Sequence, residues 1–553
     1  MTAAAEHFDA IIVGSGFGGA VAACRLAEAG KRVCLLERGR RYPPDSFPRS
    51  PRGVMRNLWD PSSGLHGLWD VWSFDGLEAF VGSGLGGGSL IYANVLLRKD
   101  ERWFVHDEPR AEDGYEHWPV TRAELEPHYD RVEARLAPVP YPFADTTPKT
   151  QAFRAAAEKL ELDWSLPGLA IAFAPSPGSE PRVGEPVEEA RPNLHGRTRR
   201  TCRLCGECAM GCNYGAKNTL DFNYLSDAAH GGADIRSRCE VRSFAPREGG
   251  GYRVEYVEHE DAADGVTVDT WALPRRALTT DRLVLAAGTL GSTYLMLRNR
   301  SSFPALSPRL GTRFSGNGDF MGITRRIPRD VDPGRGPTIT SAVRVPDALD
   351  GHSGRGFYLE DCGIPPFLSW LLHVAEAPAG LRRTGPLLRG MLKAQFRRPR
   401  ATNLGGDLAK LLGDASFSHG LLPVLGMGRD VPDGVMCLRG GALEVRWRKA
   451  GASKELFDRM RALSRQIAEA LDGRFLDTPA WHLNRVATVH PLGGCPMGRT
   501  AQEGVVDAVS GEVFGHPGLH VVDGSVMPGP VGPNPSLTIA AVADRFVDGM
   551  LGG

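Results

Sequence analysis

The N-terminal segment begins with a strand-like and then a helical pattern of apolar residues. Residues 8–13, FDAIIV, form a short apolar run rich in β-branched side chains, which predicts a buried strand. Small and apolar side chains then recur at helical spacing from Ala20 to Ala27, and Gly30 marks the end of the predicted helix. A second apolar run, KRVCLLE, ends at Glu37. This order predicts a strand–helix–strand unit of an α/β sheet.

Three glycines, Gly14, Gly16 and Gly19, lie between the first predicted strand and the helix. In this spacing the first permits a tight turn, the second lets the backbone approach a pyrophosphate, and the third lets the helix pack close to the sheet. The helix N-terminus would direct unpaired N–H groups at the phosphates, and Glu37 would accept hydrogen bonds from ribose hydroxyls. The motif predicts a dinucleotide site without distinguishing FAD from NAD.

Two distant segments favour FAD. The first is a second glycine-rich loop, GSGLGGGS, suited to wrap the pyrophosphate or the flavin ring, and its predicted contacts are Gly82, Gly87, Gly88 and Ser89. The second is a C-terminal strand that ends in Asp523 and Gly524 and leads through a Pro/Gly-rich loop to a helix beginning near Pro535 and Ser536. A strand ending there suits a further phosphate or ribityl contact. The alternative for this segment is a plain strand–loop–helix that closes the sheet.

Length, composition and charge narrow the class of protein. A chain of 553 residues is too long for one core, so two or three domains are expected. The 42% hydrophobic and 24% charged residues are typical of globular proteins, and 65 basic residues balance 65 acidic ones. No apolar stretch approaches the ~18 residues of a membrane-spanning helix, and no basic leader precedes the first apolar run. We therefore expect a cytoplasmic protein with reduced thiols that binds no nucleic acid.

Four of the ten cysteines lie close together on a loop that also contains glycines. Their spacing, Cys-x2-Cys-x2-Cys-x3-Cys, is that of the ferredoxin-type run, whose thiolates bind an iron–sulfur cluster. They are Cys202, Cys205, Cys208 and Cys212. Either Cys212 or a remote cysteine such as Cys239 would supply the fourth ligand. The alternatives are a tetrahedral zinc site, or reduced structural thiols or a disulfide.

A further segment, 363–400, combines apolar and basic runs. Residues 363–373, GIPPFLSWLLH, are apolar and aromatic, and residues 381–400 contain seven Lys or Arg and no acid, interleaved with apolar side chains. A basic amphipathic helix can lie on an anionic membrane, so this segment predicts a peripheral membrane contact. A lid helix over a pocket or an oligomer contact is the alternative.

Several motifs together resemble the glucose–methanol–choline (GMC) oxidoreductases, and within them the cholesterol oxidase-like branch. The resemblance extends over nearly the whole chain, and the pair HPLGGC and, some forty residues later, Pro-Asn-Pro is its most specific part. The segment NYGAKNTLDFNYL, after the cysteines, is similar to cluster-bearing relatives in the family. The other matching segments are FDAIIVGSGFGGAVAACRLAEAGKRVCLLERG, VGSGLGGGSLIYANVLLR, HWPVTRAELEPHYDRVE, DRLVLAAGTLGSTYLMLR and DGSVMPGPVGPNPSLTIAAVADR.

The resemblance implies an α/β fold, α+β overall, with a Rossmann-like FAD-binding domain and a substrate-binding domain that has a mostly antiparallel sheet. The FAD-binding domain would be discontinuous and comprise 1–45, 80–100, 213–320 and 487–553. The substrate-binding or cap domain would comprise 46–79, 101–200 and 321–486, with 201–212 as a cysteine-rich cluster loop. Asn94, Ala287 and Gly288 lie in the matching segments and are further expected FAD contacts.

Three residues are expected to be catalytic by the same resemblance. His490 and Asn534 occupy the positions that face the flavin and hydrogen-bond the substrate hydroxyl, where an imidazole can accept the hydroxyl proton while hydride leaves carbon. Glu360 resembles the glutamate that serves cholesterol oxidases as a base for shifting a steroid double bond. Taken singly, each could instead be a structural polar residue.

The resulting hypothesis is an FAD-dependent oxidation of a bulky hydrophobic alcohol, a sterol or other terpenoid first, with electrons passing through the cluster to an acceptor partner. The cysteine run departs from ordinary cholesterol oxidases and puts oxygen as the acceptor in doubt. A reductase acting on a conjugated ketone or alkene is the alternative, and a non-catalytic flavin and cluster electron carrier is a third.

Overall fold

The structure is a computed structural model. It describes residues 6–50, 53–54, 56–104, 117–259, 266–365, 420–447, 452–477, 481 and 485–552. The segment expected to contact a membrane, 363–400, lies outside the described residues from position 366 onward. Among the residues that are described, no helix is both long and apolar enough to cross a membrane.

Seven α-helices are described. The first begins directly after the glycine loop, and the second begins at a capping box in which the Thr121 hydroxyl and the Glu124 carboxylate exchange hydrogen bonds with backbone N–H groups. The helices are α1 (Phe17–Glu28), α2 (Arg122–Leu136), α3 (Pro148–Lys159), α4 (Tyr224–His230), α5 (Gly288–Arg298), α6 (Lys454–Ala470) and α7 (Ser536–Gly552).

The strands form two large sheets and several short ladders. They are β1 (His7–Val13), β2 (Val33–Glu37), β3 (Trp59–Asp60), β4 (Leu65–His66), β5 (Trp69–Phe74), β6 (Leu77–Gly82), β7 (Val95–Leu96), β8 (Asp163–Ser165), β9 (Gly168–Leu169), β10 (Asp234–Ser237), β11 (Cys239–Pro246), β12 (Tyr252–Glu258), β13 (Arg275–Leu285), β14 (Phe320–Arg325), β15 (Ile339–Val345), β16 (Phe357–Cys362), β17 (Leu422–Gly428), β18 (Val435–Arg439), β19 (Ala442–Arg446), β20 (Arg474–Asp477), β21 (Val486–Thr488), β22 (Met497–Gly498), β23 (Val506–Asp507) and β24 (Leu519–Val521).

The first sheet has the order β10-β2-β1-β13-β12-β11, and β24 pairs with β13. β10, β2, β1, β13 and β24 run parallel to one another, with Ile11 opposite both Cys34 and Leu283, whereas β11, β12 and β13 form an antiparallel meander. The carboxyl ends of β1, β13 and β24 therefore lie side by side. In a parallel α/β sheet this edge is where ligands bind.

Helices α1, α4, α7 and α2 pack in a layer beside this sheet. The small residues of α1, such as Ala20 and Ala23, are fully buried, as are Ile11 and Ile12 of the strand beneath it. Removing a leucine such as Leu26 from water stabilises the fold by about 1.5–3 kcal/mol. The predicted strand–helix–strand unit is thus confirmed and forms the centre of the core.

The second sheet is antiparallel and has the order β20-β14-β17-β16-β15-β8. Helices α3 and α6 pack on it, and α6 buries Leu456, Phe457, Met460, Leu463 and Ile467, the helical spacing of a single apolar face. Side chains of β16 alternate between the two faces of the sheet, so Glu360 and Asp361 point in opposite directions. The predicted fold class, a Rossmann-like unit plus a mostly antiparallel sheet, is confirmed.

Candidate active site and cysteine pocket

Among the glycines of the first loop, only Gly16 has room for a side chain. Gly14 has φ +98°, and a Cβ there would lie 2.3 Å from the Ala286 carbonyl oxygen. A Cβ at Gly19 would lie 2.1 Å from the Gly14 oxygen, whereas one at Gly16 would meet no protein atom within 4 Å. Gly14 and Gly19 therefore serve packing, and Gly16 presents open backbone at the start of α1, where a phosphate can approach.

The second glycine segment, residues 82–94, packs directly on the first loop. The Gly86 N–H donates to Ser15 Oγ at 3.0 Å, and a Cβ at Gly87, where φ is +53°, would lie 2.7 Å from Gly16 Cα. A Cβ at Gly82 would lie 2.7 Å from the Gly87 oxygen, whereas one at Gly88 would meet nothing within 4 Å. The two loops thus form one cradle with open backbone at Gly16 and Gly88.

Glu37 and Ser89 have structural partners within this cradle. Glu37 Oε2 accepts from the Ser15 hydroxyl at 2.6 Å and the Ser15 N–H at 3.0 Å, and Oε1 accepts from the Gly39 N–H at 2.8 Å. Burial raises the pKa of the Glu37 carboxyl, and these hydrogen bonds oppose that effect. Ser89 Oγ donates to the Gly86 oxygen and accepts from the Leu220 N–H. Contacts of either residue with FAD stay predictions.

Asn94 has a buried side-chain amide that the other described residues leave unpaired. Its side chain is fully buried, its φ is +73°, and neither its amide oxygen nor its amide nitrogen has a hydrogen-bond partner in the described part of the chain. Leaving a buried amide unpaired costs about 1–3 kcal/mol, so such groups normally face a ligand or water. The amide of Asn94 fits a hydrogen-bonding role toward the cofactor.

Asp523 joins the C-terminal segment to the N-terminus of α5. Its Oδ2 accepts from the Gly288 N–H at 2.9 Å and from the Ser292 hydroxyl, and its Oδ1 accepts from the Ser525 N–H at 2.9 Å. Gly288 has φ +78°, and Ala287 donates its N–H to Ser292 Oγ. Burial raises the pKa of the Asp523 carboxyl.

The C-terminal segment also borders the first loop. A Cβ at Gly18 would lie 1.9 Å from the Val522 oxygen, and one at Gly524 would lie 2.9 Å from Thr289 Oγ1. Pro535 and Ser536 lie at the start of α7, where the Pro535 oxygen accepts from the Ile539 N–H. The structure therefore brings the three segments predicted for FAD to one edge of the parallel sheet, and the residues there fit a dinucleotide.

His490 is oriented by a carboxylate that sequence reasoning missed. Its Nδ1 lies 2.7 Å from Asp319 Oδ1, so Nδ1 carries the proton and the carboxylate accepts it. Asp319 Oδ2 also accepts from the Val489 N–H at 2.7 Å and the Thr488 hydroxyl at 2.9 Å. The His490 side chain is 17% exposed, and Nε2 has no partner among the described residues. The ring is held with Nε2 available to a ligand.

Asn534 and Glu360 meet although one lies on the C-terminal loop and the other on β16. The Asn534 amide donates to Glu360 Oε2 at 3.4 Å, and in the described chain Glu360 Oε1 and Asn534 Oδ1 have no partner. Glu360 is fully buried. Burial raises the pKa of the Glu360 carboxyl to about 8, against the opposing effect of the Asn534 hydrogen bond. Glu360 is therefore largely protonated at neutral pH.

Residues 315–319, SGNGD, connect the loop that carries His490 to the loop that carries Asn534. Ser315 exchanges backbone hydrogen bonds with Leu492, two residues after His490. The Asn317 amide donates to the Pro533 oxygen at 3.1 Å and accepts from the Gly532 N–H at 2.9 Å. With Asp319 on His490, this short segment holds the histidine loop and the Pro-Asn-Pro loop together. The alternation of polar residues and glycines in SGNGD is the sequence pattern that could have indicated this role.

The four clustered cysteines line one cavity. All ten cysteines of the chain are described and carry free thiols, so the disulfide alternative is not supported. Cys239 does not line this cavity and lies in the first sheet, where its thiol donates to the Ser237 oxygen. Burial, together with the neighbouring cysteines, raises the pKa of the Cys202 thiol. Metal binding would have to displace those protons.

The four sulfurs do not form a compact three-ligand group among the described residues. Among the described residues, no three of the four sulfurs lie within 4.8 Å of one another. A tetrahedral zinc site with Zn–S bonds of about 2.3 Å requires closer sulfurs.

Comparison with known proteins decides the family. The chain is 32% identical over 551 residues to a cholesterol oxidase from Mycobacterium tuberculosis, covering 97% of this chain and 90% of that protein. The chain belongs to the GMC oxidoreductase family. The family's sequence models, described as GMC oxidoreductase, match residues 184–316 and 443–543 of this GMC oxidoreductase, and a model described as NAD(P)-binding Rossmann-like domain matches 12–53.

Two further similarities agree with this membership. A cholesterol oxidase from Acinetobacter baumannii is 29% identical over 573 residues, covering 99% of this GMC oxidoreductase and 94% of that protein. The solved structure of pyridoxine 4-oxidase from Mesorbium loti superposes with a TM-score of 0.62 at 18% identity, covering 99% of both chains, and so shares the fold. The predicted family, fold and enzyme class are confirmed, and the protein is an FAD-dependent GMC oxidoreductase.

Proposed function

We propose that this GMC oxidoreductase oxidises a hydroxyl group of a bulky hydrophobic alcohol, of sterol type first, by hydride transfer to FAD. The observation that carries the proposal is the segment 315–319, which joins the His490–Asp319 pair to the loop carrying Asn534. The cholesterol oxidases that are 32% and 29% identical to the chain support the substrate class.

The cofactor would be held by the cradle already described, with Gly16 and Gly88 at open backbone and Asn94 as an unpaired amide. Bound FAD supplies the acceptor for the hydride that leaves the carbinol carbon. We further propose the division expected from the sequence, with the FAD-binding part at 1–45, 80–100, 213–320 and 487–553 and the substrate-binding part at 46–79, 101–200 and 321–486.

His490 accepts the hydroxyl proton in this proposal. Asp319 fixes the tautomer with the proton on Nδ1, so Nε2 offers its lone pair to the substrate hydroxyl. As the C–H bond breaks and its electron pair leaves as hydride, the O–H proton moves to Nε2 and the C–O bond becomes a carbonyl. The Asp319 carboxylate stabilises the imidazolium that forms.

Asn534 positions the substrate oxygen, and Glu360 moves a proton on carbon. The second amide hydrogen of Asn534 is available to the oxygen that becomes the carbonyl. The ionised form of Glu360 can remove a proton from one carbon beside that carbonyl and return it to another, which shifts a double bond without net oxidation. Because burial raises the pKa of Glu360 to about 8, this step should become faster as pH rises toward that value.

The experiment is anaerobic mixing of the oxidised enzyme with a sterol, a long-chain alcohol and a short alcohol, followed by flavin absorbance. Sterol-dependent bleaching is expected, and bleaching by none of the hydrophobic alcohols would contradict the proposal. His490→Gln and Asn534→Ala should abolish bleaching by substrate and leave bleaching by dithionite intact. If no alcohol bleaches the wild type, and both variants still match it in bleaching by dithionite and in reoxidation by an electron acceptor, an electron carrier would be favoured instead.

We also propose that Cys202, Cys205, Cys208 and Cys212 hold an iron–sulfur cluster, supported by the ferredoxin-type spacing and by the single cavity that the four cysteines line. Such a cluster takes up one electron at a time and suits a one-electron acceptor protein. Two such acceptors would balance each alcohol oxidised. Free thiols of this kind stay reduced in the cytoplasm, where we propose that the enzyme lies.

Iron and acid-labile sulfide, measured on anaerobically purified protein, test the cluster. Both are expected in the wild type and in the control Cys239→Ser, and both should be lost from Cys208→Ser. Zinc without sulfide would identify a zinc site, and absence of both metals would reject metal binding.

A reductase acting on a conjugated ketone or alkene is the second candidate, and one observation favours it. A protonated Glu360 at neutral pH would donate a proton to one carbon of an alkene, and reduced FAD, when bound, would supply the hydride for the other carbon. The electrons would come from a one-electron donor protein. Pre-reduced enzyme mixed anaerobically with an enone should then regain its oxidised flavin spectrum, and an unchanged spectrum would reject this activity.

A further inference from the structure

Lys217 lies between the cysteine pocket and the second glycine segment. Its ammonium nitrogen is 2.9 Å from the Cys208 oxygen, 3.1 Å from the Leu90 oxygen and 2.8 Å from the Tyr92 oxygen. The side chain is only 1% exposed. Three carbonyl acceptors require three N–H donors, which an ammonium has and a neutral amine lacks. Burial lowers the pKa of the Lys217 ammonium to about 8, and the three carbonyl acceptors oppose that effect, so the lysine carries its charge at neutral pH.

No carboxylate in the described chain forms an ion pair with Lys217, although it lies almost completely buried. The other buried cation at this pocket differs, because Arg49 pairs with Glu207 at 2.7 Å. A buried charge without a counter-charge is costly, so it normally faces an opposite charge or a ligand. The thiolates of the proposed cluster, with that of Cys208 among them, would supply this negative charge.

The contacts of Lys217 also lead to the cofactor cradle. The backbone carbonyl oxygen of Tyr92 accepts from Lys217, and the Tyr92 ring contacts Phe17 edge to face at 5.6 Å between ring centres. Phe17 is the first residue of α1, directly after Gly16. One buried side chain thus connects the backbone of a cluster ligand to the segment that packs on the phosphate-binding loop.

We propose that Lys217 tunes the redox potential of the cysteine-bound cluster, by supplying a fixed positive charge that favours the cluster's reduced, more negative form. The inference rests on the proposed iron–sulfur site. In it Lys217 is a positioning residue that touches neither the substrate nor the reacting carbon. A positive charge beside the cluster makes it a better acceptor for electrons leaving the flavin, because adding an electron to a site near a cation is favourable.

A potentiometric titration of the cluster, followed by electron paramagnetic resonance, tests this. Lys217→Met keeps the length of the side chain and removes its charge. The reduction potential of the cluster in this variant should become more negative, so that the ratio of reduced to oxidised cluster at a fixed solution potential falls about tenfold. Lys217→Arg keeps the charge and should stay close to the wild type. Lys99→Met is the matched control, because Lys99 is also fully buried and donates to the Pro530 and Val531 oxygens, outside the cysteine pocket.

The outcomes separate this inference from the cluster itself. Iron-loaded Lys217→Met with an unchanged potential would overturn the inference and leave the cluster standing. An equal shift in Lys217→Arg or Lys99→Met would also overturn it, because charge beside the cluster would not be the cause. Wild-type protein without iron and sulfide would overturn both proposals. If Lys217→Met loads no cluster, Lys217→Gln serves with the same expected shift.

Discussion

His490 and Asp319 lie 171 positions apart in the chain and meet at 2.7 Å between Nδ1 and Oδ1. The same carboxylate also accepts hydrogen bonds from the Thr488 hydroxyl and the Val489 N–H, so it holds the whole approach to the histidine. Asp319 precedes β14 of the antiparallel sheet, and His490 follows β21. Their contact joins the second sheet to the loop proposed to face the flavin.

Asp319→Asn should lower kcat strongly. An asparagine keeps the size of the side chain but can present its amide nitrogen to the ring, which would favour the tautomer with the proton on Nε2 and remove the proton acceptor. We expect a loss of about a hundredfold or more in anaerobic flavin reduction, with FAD content unchanged.

The matched control is Asp544→Asn. Asp544 forms a similar buried pair with His128 at 2.8 Å, between α7 and α2 and outside the proposed active site. This variant should lower the melting temperature and leave kcat near the wild-type value. A kcat for Asp319→Asn equal to that of the control would contradict the role assigned to the His490–Asp319 pair.

Asn94→Gly should weaken FAD binding without harming the apoprotein. Glycine accepts the φ of +73°, and the lost amide has no hydrogen-bond partner among the described residues. Losing one or two hydrogen bonds to the cofactor should raise the Kd for FAD about tenfold, which equilibrium titration of the apoprotein with FAD measures. An unchanged Kd would show that the amide does not contact the cofactor.

Gly16→Ala and Gly18→Ala should fail differently. A Cβ at Gly16 meets no protein atom within 4 Å, so this variant should fold but lose about tenfold in FAD affinity, since the methyl group enters the space left for phosphate. A Cβ at Gly18 would lie 1.9 Å from the Val522 oxygen, so this variant should be destabilised by about 3 kcal/mol or more. Apoprotein melting temperatures and FAD titrations distinguish the two effects, and the reverse pattern would contradict the cradle.

Glu360 should give a pH dependence of both activity and stability. Its pKa is raised from 4.5 to about 8, so double-bond isomerisation of an enone precursor should rise as pH passes through about 8. Because the folded protein holds this proton more tightly than the unfolded chain, Glu360 contributes fully to the free energy of unfolding below pH 4.5. That contribution is lost as pH rises through about 8. Glu360→Gln cannot ionise and should lose isomerisation. Its free energy of unfolding minus that of the wild type should be larger at pH 9 than at pH 5.

Urea unfolding of both proteins at the two pH values measures the stability effect, and product analysis at matched flavin turnover measures isomerisation. An isomerisation rate that is flat across this pH range would contradict the role of Glu360 as the base.

Local features of the chain allowed much of the cofactor cradle to be predicted. The positions of Gly14, Gly16 and Gly19 follow from the strand–helix turn in which they lie, because the backbone conformation there depends on neighbouring residues. One residue predicted to contact the cofactor, Glu37, has hydrogen-bond partners within the protein. Glu37 accepts hydrogen bonds from Ser15 and Gly39, and no pattern in the sequence indicated that Ser15 would be its partner.

The amino-acid sequence by itself determined the strand–helix–strand unit, the glycine cradle and the cysteine spacing, because turns and motif spacing depend on residues close together in the chain. Only the tertiary structure decided that Asp319 orients His490, that Asn534 meets Glu360, and that Lys217 joins the cysteine pocket to the second glycine segment. The raised pKa of Glu360 also follows from burial between distant segments. Hydrogen bonds and desolvation depend on distances across the folded chain, which periodicity and spacing do not contain.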